Sequence, residues 1–251
     1  MISIDYLADC LGTPILEDKI MASVNAKNLQ QLKNLSSFSL SQLEKFADNL
    51  SVRNYRKNEI VFDQDQEAKL VYLVISGVAR VSYLNTHENQ TIVSLLPAGE
   101  FFGLDSLVPK THHPFRCDAF ENSVVGSIRP QTFIEILLGT PYESFLRWYT
   151  ATLHSNRKSY VHCVRGIGLD LRGRIALELL NLADLFGISD ARGMIIDLNI
   201  SHEDLAGIIG ASRQQVTQHL NEFDRKQIIA REGRRIIIDA QKLRKTIELE
   251  S

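Results

Sequence analysis

Arg213, Gln214, Gln215, Thr217 and Gln218 stand almost side by side in the stretch Ser212-Arg-Gln-Gln-Val-Thr-Gln218. Arg and Gln side chains present paired hydrogen-bonding groups, and such groups make bidentate contacts to guanine and adenine edges in the major groove. The chemistry on offer is therefore base reading. Val216, Leu220 and Phe223 recur at i, i+4 and i+7, which turns them inward on a helix and leaves the polar set outward. Two elements must position that face. Ser201 with Asp204, and Ser212 with Gln215, are capping-box pairs whose side chains satisfy the N–H groups left open at a helix start. Between these starts Leu205, Ile208 and Ile209 form an apolar face, Gly210 supplies the turn and Ala211 allows close approach of the helices. The spacing predicts a helix-turn-helix over Ser201–Ile229; an ordinary packed helical hairpin is the alternative.

No other group of residues offers chemistry as clearly. Cys10, Cys117 and Cys163 are odd in number and far apart, which fits reduced thiols, and no pair has C-x-x-C spacing. His87, His112, His113 and His154, with Cys117, have the side chains of haem axial ligands by type alone. A small β-barrel metalloenzyme is the competing class of function, but His87 and Glu88 sit in a turn and no H-x-H pair occurs. The expectation is not an enzyme. At 251 residues, 44% of them hydrophobic, the chain has room for two domains, and its net charge of −2 argues against a bulk, sequence-blind nucleic-acid binder. DNA contact must be local, and Arg225, Lys226, Arg231, Arg234 and Arg235 supply a basic rim beside the reading stretch. No apolar run has membrane-spanning length and the N-terminus has no secretory pattern, so a cytoplasmic protein without membrane contact is expected.

The rest of the chain falls into segments. Residues 1–26 show no sustained period and form an N-terminal arm of unassigned role. Leucines and Phe46 at mostly three- and four-residue steps from Leu29 to Leu50, interrupted by Ser36, Ser37 and Ser39, predict two short helices. From Asn58 to Ile128 the β-branched and aromatic runs EIVFD, KLVYLVIS, VARVSYL, TIVSLL, FRCDAF and SVVGSI predict an antiparallel barrel or roll. Pro130 opens a short helix ending near Gly139, and Pro141 opens a long one reaching Ile167. Along the latter Leu146, Tyr149, Leu153, Asn156, Tyr160, Cys163 and Ile167 are spaced 3-4-3-4-3-4, the alternation of a two-stranded seam, so a homodimer is expected. A neighbouring stripe, Phe145, Trp148, Thr152 and Ser159, competes for the chain's own β-domain and leaves the register open by about one position. LDLRGRIALELLNLADLFG then begins a second domain, with a strand at MIIDLN and a hairpin, or wing, around Glu232-Gly233.

This order, carried by LVYLVISGVARVSYL, GEFFGLDSL after Pro97, the run Leu169–Ala176 and Ile200–Ile229, resembles the CRP/FNR family of bacterial transcription regulators over about residues 27–245. GEFFGLDSL followed by His112–Pro114 looks nearer to the FNR branch. The resemblance implies an α+β chain: an N-terminal antiparallel β-roll of cyclic-nucleotide-binding type, a long dimerisation helix and a C-terminal winged helix-turn-helix. Its domains would be the arm at 1–26, a sensor at 27–140, the dimer helix at 141–168 and the DNA-binding domain at 169–251. It implies double-stranded DNA with a pseudo-palindromic operator, RNA polymerase and a small-molecule effector as partners. The DNA-binding set becomes Ser212, Arg213, Gln214, Gln215, Thr217, Gln218, Arg234 and Arg235. The candidate effector pocket becomes Gly99, Phe102, Gly103, Leu104, Asp105, Arg116, Cys117, Ser159 and Tyr160.

Departures from the family pattern bear on the signal. Nucleotide-binding relatives follow their Gly-x-x-Gly turn with Glu, which holds the ribose, and later carry Arg-Ser. Here Leu104 follows Gly103, Asp105 is one place late, and Arg116 precedes Cys117. A missing polar partner costs a site about 1–3 kcal/mol, so the effector is expected not to be cyclic AMP. An iron–sulfur cluster needs three cysteines in the arm and a fourth further on, whereas the arm has Cys10 alone and position 126 is Gly126. The cofactor stays unassigned, with haem a minor candidate. On the reading face, Gln214 and Gln218 stand where the family has Glu and Arg, which predicts a half-site with more adenine contact.

Overall fold

The computed structural model describes residues 24–86, 90–233 and 235–248, and all of Cys163 but its side chain. The arm up to residue 23, Cys10, His87 and Arg234 lie outside the described residues. The chain divides into two compact units: residues up to Ala79 with Ala98–Thr152, and Arg80–Pro97 with the residues from Leu153 onward.

The first unit starts with helix α1 (Ala26–Gln30), a 3₁₀ turn at Lys33–Leu35 and α2 (Leu40–Asn49). The serine-rich break anticipated between two helices is thus a 3₁₀ turn followed by the Ser39 cap, whose side chain and that of Gln42 close a reciprocal capping box. The β-roll strands in chain order are β1 (Ser51–Tyr55), β2 (Ile60–Phe62), β3 (Val71–Ser76), β4 (Val78–Leu84), β5 (Gln90–Pro97), β6 (Phe101–Phe102), β7 (Arg116–Ala119) and β8 (Ser123–Ile128), of which β5 and β4 from Arg80 onward are among the residues of the second unit. They form two four-stranded sheets, in the orders β1-β8-β3-β6 and β2-β7-β4-β5. Strand β8 is central in the first, pairing antiparallel with β1 from Ser51–Ser127 to Tyr55–Ser123 and with β3 from Val71–Ile128. Strands β1 and β6 go beyond the sequence expectation: in SVRNY the apolar residues Val52 and Tyr55 are three apart, with no alternation, and Phe101-Phe102 is too short to show a period.

Helix α3 (Pro130–Leu138) begins at its proline as anticipated and is stopped by Gly139. With α2 it covers a core in which Phe46, Phe101, Phe133 and Trp148 meet, their ring centroids 5.2–6.2 Å apart. Such tilted and edge-on pairs each add about 0.5–1.5 kcal/mol beyond the area they bury. Trp148 comes from α4 (Tyr142–Ile167), and its burial settles the open register at this end of the helix. The Phe145–Trp148 stripe faces the unit's own core, while Leu146, Tyr149 and Leu153 remain 40–48% exposed.

In the second unit, α5 (Leu171–Phe186) is capped by Asp170, whose carboxylate accepts from Gly173 N. Strands β9 (Gly187–Asp190), β10 (Gly193–Ile196), β11 (Ile229–Glu232) and β12 (Arg235–Ile238) make one sheet in the order β11-β12-β10-β9. Gly187 both ends α5 and opens β9. Helices α6 (His202–Ile209) and α7 (Arg213–Arg225) follow β10, and α8 (Ala240–Glu248), not foreseen from sequence, closes against α5 with Leu243 buried.

Candidate nucleic-acid interface

Both predicted capping boxes are present. Ser201 accepts from Asp204 N at 3.0 Å while Asp204 takes Ser201 N at 3.1 Å; Ser212 accepts from Gln215 N at 3.3 Å while Gln215 takes Ser212 N at 3.1 Å. The turn between the helices rests on Gly210 in the left-handed region, φ 69°, where a side chain would be strained. Val216, Leu220 and Phe223 are wholly buried. On α6 the inward face is Leu205, Ala206 and Ile209, not the anticipated Leu205, Ile208 and Ile209: Ile208 is half-buried, and Ala206, at the next position round from Leu205, takes the inner place.

Arg213, Gln214 and Gln218 are exposed along α7 as their spacing requires. Ser212, Arg213, Gln214 and Thr217 line an open concavity of about 490 Å³ at the start of this helix. Two of the predicted reading residues carry structural duties as well. Gln215 commits its carbonyl oxygen to the cap, also accepting from Ser212 Oγ at 2.9 Å. The Thr217 hydroxyl donates to the Arg213 carbonyl at 2.8 Å and lies 2.8 Å from His202 Nδ1. His202 is a residue the sequence reading does not single out; its place directly after the Ser201 cap is the only local sign, because its partner lies fifteen residues on. Burial, then Arg231 and Arg213, hold its imidazolium below the ordinary histidine value.

On the wing, Arg235 pairs with Asp197 at 2.8 Å, and Arg231 donates to Asn221 on α7 at 3.0 Å. The wing cations thus reach the reading helix and its supporting sheet through acceptors already in place. Because the cap is worth about 0.5–2 kcal/mol where Ser is replaced by Ala, Ser212→Ala is expected to lower unfolding free energy by about 1 kcal/mol in urea melts. Affinity for DNA should fall with it, since Gln215 loses its reciprocal partner.

The candidate effector residues divide between the units. Gly99, Phe102, Gly103, Leu104, Asp105, Arg116 and Cys117 belong to the first unit, Ser159 and Tyr160 to the second. Gly103 adopts φ +68°, and a Cβ there would lie 2.8 Å from the Tyr72 ring. Leu104 is partly buried and packs against the core cluster. Arg116 does not stand free: Asp63 accepts from its Nε and Nη2, both at 2.9 Å. That pair holds the Asp63 carboxyl below its usual range, so its stabilising effect is present above the ordinary aspartate value and is lost as pH falls through the lowered one. Phe62, the residue before Asp63, meets Tyr72 and Phe102 in tilted contacts at 5.3 and 5.9 Å, Tyr72 stacks on Phe102 at 5.2 Å, and burial pushes the Tyr72 hydroxyl up to about 12. Cys117 is fully buried, Tyr160 is exposed, and the Ser159 hydroxyl donates to the Ser155 carbonyl.

Of the described histidines offered as ligands, His113 is buried while His112 and His154 are exposed. His113 is 1% exposed, stacked on Phe62 at 3.7 Å and 3.5 Å from Asp105 through Nδ1, because the apolar face of its ring completes the aromatic stack. His112 beside it is exposed, as expected of a loop residue.

The Cyclic nucleotide-binding domain family matches residues 52–139, and the Crp-like helix-turn-helix domain family matches residues 173–246. The Global nitrogen regulator of Nostoc sp. is 26% identical over 202 residues, covering 74% of this chain and 84% of that one. The CRP-like cAMP-activated global transcriptional regulator of Mycobacterium tuberculosis is 21% identical over 193 residues, covering 76% and 85%. A solved CooA variant from Carboxydothermus hydrogenoformans is similar in structure with a TM-score of 0.66 and 26% identity, over 80% of this chain and 88% of that one. A β-roll of this type, a long helix and a winged helix-turn-helix in succession define a DNA-binding transcription regulator with an effector domain. The chain belongs to the CRP/FNR family of transcription regulators, in which homodimers and allosteric control are typical. Among the described residues no helix is long and apolar enough to cross a membrane.

Proposed function

We propose that this chain is a homodimeric, sequence-specific transcription regulator whose α7 helices read a pseudo-palindromic operator, with half-sites about one helical turn, roughly 34 Å, apart. The observation that carries the reading is the exposed row Arg213, Gln214 and Gln218 on a helix held at its start by the Ser212–Gln215 capping box and packed against α6. The outward stripe of α4, with Tyr160 at 74% and Ile167 at 84% exposure, supplies the dimer seam. We assign the arm to 1–26, the sensor to 27–140, the dimer helix to 141–168 and the DNA-binding domain to 169–251. Gly166–Gly168 is the hinge at which a change in dimer packing redirects the DNA-binding domain, a step that needs an effector with unequal affinity for two states. RNA polymerase is the further partner, the cytoplasm is its place of action, and it stands with the FNR-like branch without that branch's cysteine set.

The effector is not cyclic AMP in this reading. Leu104 offers no acceptor to a ribose, and the Arg116 guanidinium is already matched by the Asp63 carboxylate where a cyclic phosphate would need it. The same pair favours a second reading in which the pocket takes no ligand and abundance alone sets activity. Binding selection from a random duplex pool, followed by affinity measurement with and without cyclic AMP, tests the proposal. The expected result is a palindromic site with adenine at the positions facing Gln214 and Gln218, and no change with the nucleotide. Recovery of the half-site read by Glu and Arg relatives, or tightening by cyclic AMP, would overturn it.

A further inference from the structure

We propose that His202 is a contact to the DNA phosphate backbone that takes up a proton as the complex forms, so that the protein grips DNA more tightly as pH falls. The inference rests on the DNA-reading role of α7 and adds to it a residue on the other helix.

The geometry begins at Thr217. Its hydroxyl has one hydrogen, and the Arg213 carbonyl, 2.8 Å away, can only accept. The arrangement that satisfies both contacts therefore has His202 Nδ1 donating to Thr217 Oγ1 across 2.8 Å. Holding a hydrogen on Nδ1 leaves the second nitrogen, Nε2, as the lone-pair end of the neutral ring. Nε2 has no hydrogen-bond partner among the described residues and is not among the buried unpaired atoms, so it meets solvent. Thr217 is itself part of the concavity at the start of α7, with Ser212, Arg213 and Gln214, which puts the ring beside the surface the duplex must approach.

The surroundings supply the switch. The charges that bear on the ring are Arg213 on α7 and Arg231 on β11, both positive. Asp204 on its own helix is engaged by the Ser201 cap and lies 3.8 Å from Arg80, and Glu203 is exposed. In the free protein burial and the two arginines keep the imidazole neutral below its usual pKa. A phosphate oxygen at Nε2 reverses that balance: it brings negative charge and accepts the new N–H, and both effects favour the imidazolium. The bound value therefore lies above the free one. In the window between them each protomer takes up a proton, and affinity rises as pH falls by at most about tenfold per pH unit per half-site. Stability of the free chain moves the other way. A histidine whose folded pKa is lowered makes the fold less stable as pH drops below the ordinary value, since the unfolded chain then binds more protons. Tighter binding on acidification thus cannot come from a general gain in stability.

Phosphate contacts are blind to sequence, so the test needs no operator: a mixed-sequence duplex and the full chain suffice. Anisotropy titrations at about pH 6 and about pH 8 compare the wild type with His202→Asn, whose amide nitrogen occupies the place of Nδ1 and keeps the donor to Thr217 without titrating. His202→Gln serves as a second variant should the first fail to fold. We expect the wild type to tighten on acidification by about tenfold more per protomer than either variant. Calorimetry in buffers of different ionisation enthalpy should give it up to about one more proton taken up per protomer. The salt dependence at the lower pH should be steeper for the wild type by about 0.9 in logarithmic slope per contact. Equal pH dependence and equal proton uptake in wild type and variants would overturn the proposal. A chain that binds no duplex at either pH would instead overturn the DNA-reading role of α7, and the two failures are told apart by that measurement.

Discussion

Phe223→Ala is expected to cost about 3–5 kcal/mol of unfolding free energy, the largest effect of any single substitution in α7. The ring is wholly buried, with Val216 and Leu220 in the same inward row and the Arg172 guanidinium carbon 5.8 Å from its centroid. Removing it opens a cavity at the point where α7 is seated, and the Thr217–His202 hydrogen bond to α6 does not replace the lost packing. Urea titration monitored by circular dichroism should show the loss as a shifted midpoint with an unchanged slope. DNA binding should weaken in parallel, since Arg213, Gln214 and Gln218 keep their mutual spacing only while the helix keeps its seat. A variant of wild-type stability would mean that the core under α7 closes around the gap, which a shift to a shorter residue in so tightly buried a row does not allow.

Much of this architecture was legible because it is local. A capping box is a relation between residues three apart, so Ser201–Asp204 and Ser212–Gln215 announced both helix starts and their bonds. Buried strands such as Val71–Ser76 announced themselves by continuous apolar runs. Strands β1 and β9 did not, since SVRNY and GISD have no such run and acquire their strand character from pairing with Ser123–Ser127 and with Gly193–Ile196. The same division runs through the candidate sites. Arg213, Gln214 and Gln218 are outward because of helical period alone. Asp63 was invisible as the partner of Arg116, fifty-three residues away, and so was His202 as the partner of Thr217. The burial of His113 was hidden for a further reason: the string THHPF is polar by composition, and only the stack on Phe62 gives its ring an apolar use. Relations between distant residues depend on the closed fold, and these are the ones that decide what fills a pocket and which ring nitrogen carries a hydrogen.

Leu153→Glu is expected to convert the proposed dimer to a monomer while leaving the protomer folded. Leu153 is 48% exposed on α4, so a carboxylate there is solvated in the single chain and costs it little. In a paired seam the same carboxylate would face its own copy near the two-fold axis, where like charges repel and desolvation adds to the penalty. The consequence for DNA follows from tethering. Two reading helices on one body make the second half-site encounter intramolecular, a gain of about 10²–10⁴ in overall affinity. Sedimentation should therefore show half the wild-type mass. Affinity for a two-half-site operator should fall by about that factor, while affinity for an isolated half-site should stay within about twofold, because α6, α7 and the wing are untouched. The size of the loss on the full operator, set against the constancy on the half-site, separates a broken seam from a damaged reader. Retention of the dimer would place the seam on a different face of α4, with Val161 and Val164, 43% and 68% exposed, as the next positions to carry the charge.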